Sequence, residues 1–209
     1  MEQKWARPWF ATTFGLVVVE LIITVVLAAD KSGGHFHSAG ARVFNVFWYF
    51  TIESNVIVGI TCLLLAVNPN RASTVFAVFR LIGVVAITVT FVVFHVALSH
   101  LLDLNTWEQT ANHLQHTVVP IVAVIGWFAF GPRRLTSPRI ARFTVLFPIL
   151  YMIGTAIRGP LVRDWYPYPF ADVQAHGYLR VTINGIWIAL LFYALAVGAA
   201  ALDKRLPDR

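Results

Sequence analysis

Six long apolar runs alternate with short polar stretches along the chain, at about 9–29, 43–67, 75–102, 112–130, 143–157 and 181–202. A helix needs roughly 20 apolar residues to cross the hydrocarbon core of a bilayer, and most of the runs reach or approach that length. The breaks carry turn formers: Lys31-Ser32-Gly33-Gly34, Asn68-Pro69-Asn70, Gly131-Pro132 and the segment 159–178. The fifth run is the shortest and contains Pro148, which predicts a kink because proline removes a helix hydrogen bond. The first run follows Lys4 and Arg7 as a secretory signal would. Its apolar stretch is longer than a usual signal core, so it is expected to be a retained span. The pattern therefore predicts an all-α polytopic membrane protein, with six transmembrane helices in one bundle and a single domain over 1–209.

Composition agrees with that reading. Of the 209 residues, 58% are hydrophobic and 12% charged, and the mean hydropathy is +0.70; a soluble domain would carry about twice the charge. The net charge of +6 does not point to nucleic acid, because the basic residues lie between apolar spans and report topology instead. One side of the bundle would hold Lys4, Arg7, Arg71, Arg80, Arg133, Arg134, Arg139, Arg142, Lys204, Arg205 and Arg209, and the other Lys31, Arg42, Arg158, Arg163 and Arg180. The positive-inside bias then puts both termini in the cytoplasm. Cys62, the single cysteine, rules out a disulfide within the chain and is expected to be packing.

Several polar groups interrupt the apolar runs at one depth. Thr51 lies eight residues past Val43, roughly 12 Å below the outer boundary, and His116 lies nine past Trp107, at about 13 Å. His95 lies eight residues before Asp103, again at roughly 12 Å, and Asn184 is shallower. Thr51, Ser54 and Asn55 share one helical stripe, and His113, His116 and Thr117 repeat that spacing on the fourth span. Glu53 is expected to point elsewhere. Lipid cannot satisfy such groups, so the stripes should face each other or a wet cavity. The plainer alternatives are a Thr51 hydroxyl bonded to its own helix and a His116 that only links helices. Glu20, in mid-span, is expected to pair with another helix as readily as to take part in function. His35, His37 and His176 fall in loops and are expected to be solvated.

The order of three motifs carries a resemblance. Phe50-Thr51-Ile52-Glu53, then Asn112-His113-Leu114-Gln115-His116-Thr117-Val118-Val119-Pro120, then Trp165-Tyr166-Pro167-Tyr168-Pro169-Phe170 resemble the androgen-induced gene family. Its bacterial branch, the Pr-six-Pr membrane proteins, looks nearest. Animal members are multipass threonine hydrolases that cleave fatty acid esters of hydroxy fatty acids. The resemblance implies that Thr51 is the nucleophile and His116 the base, with His113 matching a further family histidine. It also implies a bacterial plasma membrane location and a lipid or fatty acid ester as the partner molecule. Long Arg-rich connections and a Tyr-Pro-Tyr-Pro element depart from the animal branch, so the substrate is open. Without that motif, the cluster 165–170 reads as an interfacial aromatic belt on a stiff loop.

The chemistry this implies needs no cofactor. A threonine hydroxyl becomes a nucleophile when a neighbouring base takes its proton, and His116 is that base if its ring nitrogen reaches Thr51. No aspartate is evident to orient the imidazole, so Asn112, His113, Asn55 or a backbone carbonyl is left to do so. Asn55, Asn184 and Arg158 are candidate oxyanion donors, with Asn184 preferred on depth; Arg158 and Arg180 are alternatively placed to hold a lipid carboxylate. A site at this depth can take an acyl chain sideways from the bilayer. Two other classes compete. His95, His113, His116 and Glu53 offer ligands to a metal or haem, although no Glu-x-x-His spacing is present. Mid-membrane polar groups also suit a small transporter.

Overall fold

The computed structural model describes residues 3–99 and 104–207. The expected end of the third span at Leu102, its reference residue Asp103, and Arg209 lie outside the described residues. Within them the chain is helical, with no strand. The helices are α1 (Ala6–Asp30), α2 (Ala39–Val46), α3 (Phe50–Val67), α4 (Thr74–Val93), α5 (Thr106–His113), α6 (Val119–Phe130), α7 (Pro138–Thr144), α8 (Leu146–Leu161) and α9 (Val173–Arg205). Two π-helical turns, Phe94–Leu98 after α4 and Leu114–Val118 between α5 and α6, extend the third and fourth crossings. Six helical stretches are long and apolar enough to span a bilayer, so the protein is an integral, multipass, all-α bundle.

Helix α4 is the axis of the bundle. It packs against α3, α6, α7 and α9, and its residues from Arg80 to Ile87 are buried without interruption. One apolar core, with Phe10, Val17, Val58, Cys62 and Val119, joins α1, α3 and α6. A second, with Leu81, Val85, Ala141 and Phe192, joins α4, α7 and α9. The outer faces of α1 and α9 expose Ile22, Val26, Ile186, Trp187 and Leu190, as surfaces in contact with acyl chains should.

The spans differ from the hydropathy pattern where helix ends are hidden in apolar sequence. The stretch 43–67 is two helices broken at Phe47, Trp48 and Tyr49. Thr51 is therefore the second residue of α3 and not the ninth of a continuous helix. The fourth crossing starts at Thr106 rather than Asn112, because Asn105 accepts from the Trp107 and Glu108 N–H groups while Glu108 accepts from the Asn105 N–H, a capping box. The expected kink in the fifth crossing falls at Val145, between α7 and α8. Proline 148 has no N–H to offer the Thr144 carbonyl four residues earlier, which explains the break.

The face carrying the α1–α2 loop is tied together by cations. Arg42 donates from Nε to the Ala28 carbonyl at 2.9 Å and from Nη2 to the Ala29 carbonyl at 2.8 Å, satisfying the open end of α1. The Arg158 guanidinium sits over the rings of Trp48 (4.5 Å), Trp165 (5.2 Å) and Phe36 (5.7 Å) and donates to Asn45 Oδ1 at 2.8 Å. These contacts fasten segment 162–172 onto α2 and α3. Gly159 is required for the fit: a Cβ there would run into the Tyr166 ring.

Candidate active site

Position in the helix decides what the Thr51 hydroxyl can do. Ser and Thr inside membrane helices usually bond to a carbonyl one turn back. Here Ser54, Thr61 and Thr88 do so, onto Phe50, Ile57 and Val84. Thr51 has no such carbonyl in α3, because the residue four back, Phe47, lies in the break before it. Its Oγ1 instead stands 3.2 Å from His116 Nε2 and 3.2 Å from the Tyr168 hydroxyl. Thr51 is 7% exposed, and His116 is half-buried.

The fourth crossing is distorted to deliver that imidazole. Pro120 cannot donate a backbone hydrogen bond, and the turn before it is π-helical, with the Val119 N–H reaching back five residues to the Leu114 carbonyl. The Gln115 carbonyl then has neither usual partner: the Val119 N–H is spent and Pro120 has none. Asn55 Nδ2 supplies one at 3.3 Å, and also donates to the Thr51 carbonyl at 2.8 Å. A single amide thus locks α3 to the bulge.

The protons on His116 follow from its partners. Nδ1 lies 3.0 Å from the Asn112 carbonyl. A carbonyl only accepts, so Nδ1 carries the proton. In the neutral ring Nε2 is then the acceptor, and it faces the Thr51 hydroxyl. Phe94, from the π-turn of the third crossing, stacks on the imidazole with centroids 4.0 Å apart and planes 19° apart. The ring is fixed by one carbonyl and one aromatic face. Of the orienting groups expected from sequence, a backbone carbonyl fills the role. π-Turns gather at functional positions in helices, and here two meet at one site.

Tyr168 is the residue that sequence reading missed. With Oγ1–H directed at His116, the tyrosine O–H donates to Thr51 Oγ1, and its oxygen accepts from the Thr51 N–H at 3.2 Å. Burial raises the phenol to about 12, so it holds its proton throughout the ordinary pH range. Pro167 and Pro169 flank it, and its ring stacks on Phe170 at 5.2 Å and meets Tyr49 edge-on at 6.0 Å. The signal was the pair of prolines around one tyrosine, a costly way to stiffen a loop unless its position matters. A second tyrosine, Tyr151 of α8, accepts from the Phe50 N–H at 3.2 Å and donates to the Trp48 carbonyl at 3.0 Å. Two phenols therefore cap the start of α3, where backbone N–H groups have no helical partners.

The other expected site residues are engaged elsewhere. Asn184 donates to the Phe170 carbonyl at 2.9 Å, and so supports the loop that carries Tyr168. Arg158 is committed to its aromatic cage and Asn45. Asn55 is a structural tie. None of these three shares a hydrogen bond with the Thr51 hydroxyl, and each has an N–H turned to another acceptor. His113 is exposed; the π-turn rotates it off the stripe it would share with His116 in a regular helix. His95 is also exposed and pairs with Thr117 Oγ1 at 3.1 Å, behind the imidazole. Glu20 is fully buried beside the Gln115 amide, and neither of its carboxyl oxygens has a hydrogen-bond partner among the described residues. Among the described residues no three His, Cys, Asp or Glu side chains stand close enough to hold a metal ion.

Cavities lie on both sides of the Thr51–His116 pair. An outer chamber of about 490 Å³ reaches it past Tyr49, Asn112 and Gln115, with Lys31 and Glu108 in its wall, 3.8 Å apart. On the other side a narrow apolar cavity of about 50 Å³ runs between α4, α8 and α9. Compared with family models, with curated proteins and with solved structures, the chain finds no match in any of the three.

Proposed function

We propose that this protein is an intramembrane hydrolase of lipid esters, in a bacterial plasma membrane with both termini cytoplasmic. Thr51 is the nucleophile and His116 the general base; the substrate is a fatty acid ester of a hydroxy fatty acid or a related amphiphilic ester. The observation that carries this reading is the Thr51 Oγ1 to His116 Nε2 contact of 3.2 Å, with the far ring nitrogen occupied by the Asn112 carbonyl. That arrangement leaves one lone pair to receive one proton, the minimal requirement of base-assisted attack.

In the first half-reaction the Thr51 proton passes to His116 Nε2 as Oγ1 bonds to the ester carbonyl carbon. The carbonyl electron pair moves onto oxygen. The Tyr168 O–H, 3.2 Å from Oγ1, is the donor nearest to the reacting atom, and it stabilises that charge in an apolar surrounding where a hydrogen bond counts for more than in water. Collapse breaks the carbon–oxygen bond to the alcohol, which leaves with the proton from His116. In the second half-reaction water gives a proton to Nε2 and attacks the acyl-threonine. The acid departs, and Thr51 recovers its proton. The same acyl-enzyme would serve acyl transfer if a lipid alcohol replaced water.

The test is turnover of a long-chain ester by purified variants. Thr51→Ala and His116→Ala should each lower kcat by at least about 100-fold, the usual contribution of a positioned base or more, with expression and melting unchanged. Ordinary turnover in either variant removes that residue from the mechanism.

A further inference from the structure

The narrow cavity beside Thr51 holds about 50 Å³, whereas sites for ligands of ordinary size span about 300–1,000 Å³. A whole fatty acyl chain cannot be housed within it. Beyond it lies a much larger space. Helices α8 and α9 diverge to form an apolar crevice of about 510 Å³ on the lipid-facing side of the bundle, between Ile149, Ile153, Ile186 and Leu190. One side chain, Met152, lines both the cavity and the crevice. Opposite it is Gly185 of α9, where a Cβ would touch Met152 Cε and Cγ at 3.6 Å. The partition between the two spaces is thus a half-buried, unbranched thioether against a residue with no side chain. Methionine has three rotatable bonds and repacks at little cost, so a rotamer change joins cavity to crevice.

We propose that Met152 is the gate of an acyl channel. The acyl arm of the substrate passes from Thr51 through the narrow cavity, displaces Met152 and lies in the crevice between α8 and α9, open to the bilayer. The alcohol arm occupies the outer chamber on the other side of the Thr51–His116 pair, where Lys31 and Glu108 supply the polar wall. The substrate class is therefore an ester with a long, unbranched acyl arm and a bulkier or more polar alcohol arm. This rests on the hydrolase reading, and it sets which half of the ester is held where. A large side chain at 152 or at 185 would close the channel to long acyl arms while a short one still reaches Thr51.

The experiment compares kcat/KM for p-nitrophenyl palmitate with that for p-nitrophenyl acetate in the full-length protein in detergent micelles. The ratio of the two is independent of the fraction of protein that is folded. Met152→Trp and Gly185→Leu should each lower the palmitate-to-acetate ratio by at least about tenfold, the low end of what even a single methylene is worth in a hydrophobic pocket. Met152→Ala should leave it level or raise it. Ile157→Trp, on the exposed outer face of α8, should not change it. An unchanged ratio in both Met152→Trp and Gly185→Leu would overturn the gate. A palmitate ester with a diazirine at its terminal carbon reads the route without turnover: cross-links should map to α8 and α9 around Ile149 and Ile186 and disappear in Met152→Trp. Cross-links in the crevice with no Thr51-dependent turnover would keep the channel and remove the hydrolase; turnover with cross-links elsewhere would do the reverse.

Discussion

A threonine hydroxyl in a membrane helix is ordinarily a private matter between the side chain and its own backbone. Thr51 escapes that fate because it occupies the first turn of α3, and two outside groups take the bonds its helix cannot. Removing the tyrosine should separate placement from basicity. Tyr168→Phe leaves His116 in place but deletes the O–H on the reacting side, so kcat should fall by about 100-fold with KM changed little, as read by steady-state kinetics. The pH profile gives a second signature. Burial holds the Tyr168 phenol at about 12, so the donor is fully protonated across the working range and is lost only when pH rises through that value. Turnover should therefore be flat from about pH 8 to about pH 10, where an ordinary tyrosine begins to ionise. A fall in rate within that window that disappears in Tyr168→Phe would place the ionisation of the phenol in the ordinary tyrosine range and contradict the shift that burial imposes. Thr51 and His116 were legible in the sequence as polar residues at matched depth in apolar runs, and the structure brings them to 3.2 Å of each other. The phenol was not, because a tyrosine near the membrane surface is ordinary.

At the scale of the element, the fourth crossing shows how a helix is bent to a purpose. Pro120 withholds one N–H, the preceding turn widens, and Asn55 answers the Gln115 carbonyl that the distortion exposes. Pro120→Ala restores the missing donor and lets the turn relax to regular α-helix. The variant should be as stable as the parent or more so, yet lose most of its activity as His116 rotates away; a melt in detergent paired with a turnover assay reads both. Asn55→Leu has the opposite signature. It leaves a buried carbonyl without a donor, costing about 1–3 kcal/mol, and should lower the melting temperature together with activity. The bulge was foreshadowed by a proline four residues after His116, but hydropathy alone treats 112–130 as one regular span. The break at 47–49 left no such trace, because Phe47-Trp48-Tyr49 is apolar and contains neither glycine nor proline. The start at Thr106 was readable in Asn105 and Glu108, whose spacing is that of a capping box, although an apolar threshold passes over it.

For the whole molecule, six crossings return the two ends of the chain to one face, and the proposal that this face is cytoplasmic rests on the charge imbalance. Cys62 is fully buried, so a single new cysteine can be read against a quiet background. In sealed, right-side-out vesicles a membrane-impermeant maleimide should label cysteine introduced at His37 or Gln174 and spare cysteine at Arg139 or Lys204 until the membrane is opened. Labelling in the reverse order would invert the topology and place the outer chamber toward the cytoplasm. The fold class and the number of spans were legible in the pattern of apolar runs, because each run must bury its own backbone in lipid. How the helices pack was not legible: α4 becomes the axis through contacts that no local periodicity encodes.

The direct test is chemical capture of the hydroxyl in native membranes. A fluorophosphonate forms a phosphonate ester, with loss of fluoride, at an oxygen whose proton has been drawn off by a neighbouring base, whatever the physiological ester. Mass spectrometry of the labelled protein should find the adduct on Thr51, and labelling should vanish in Thr51→Ala and in His116→Ala. An adduct elsewhere on the chain, or undiminished labelling of Thr51 when His116 is replaced, would contradict the proton-sharing pair on which the account stands.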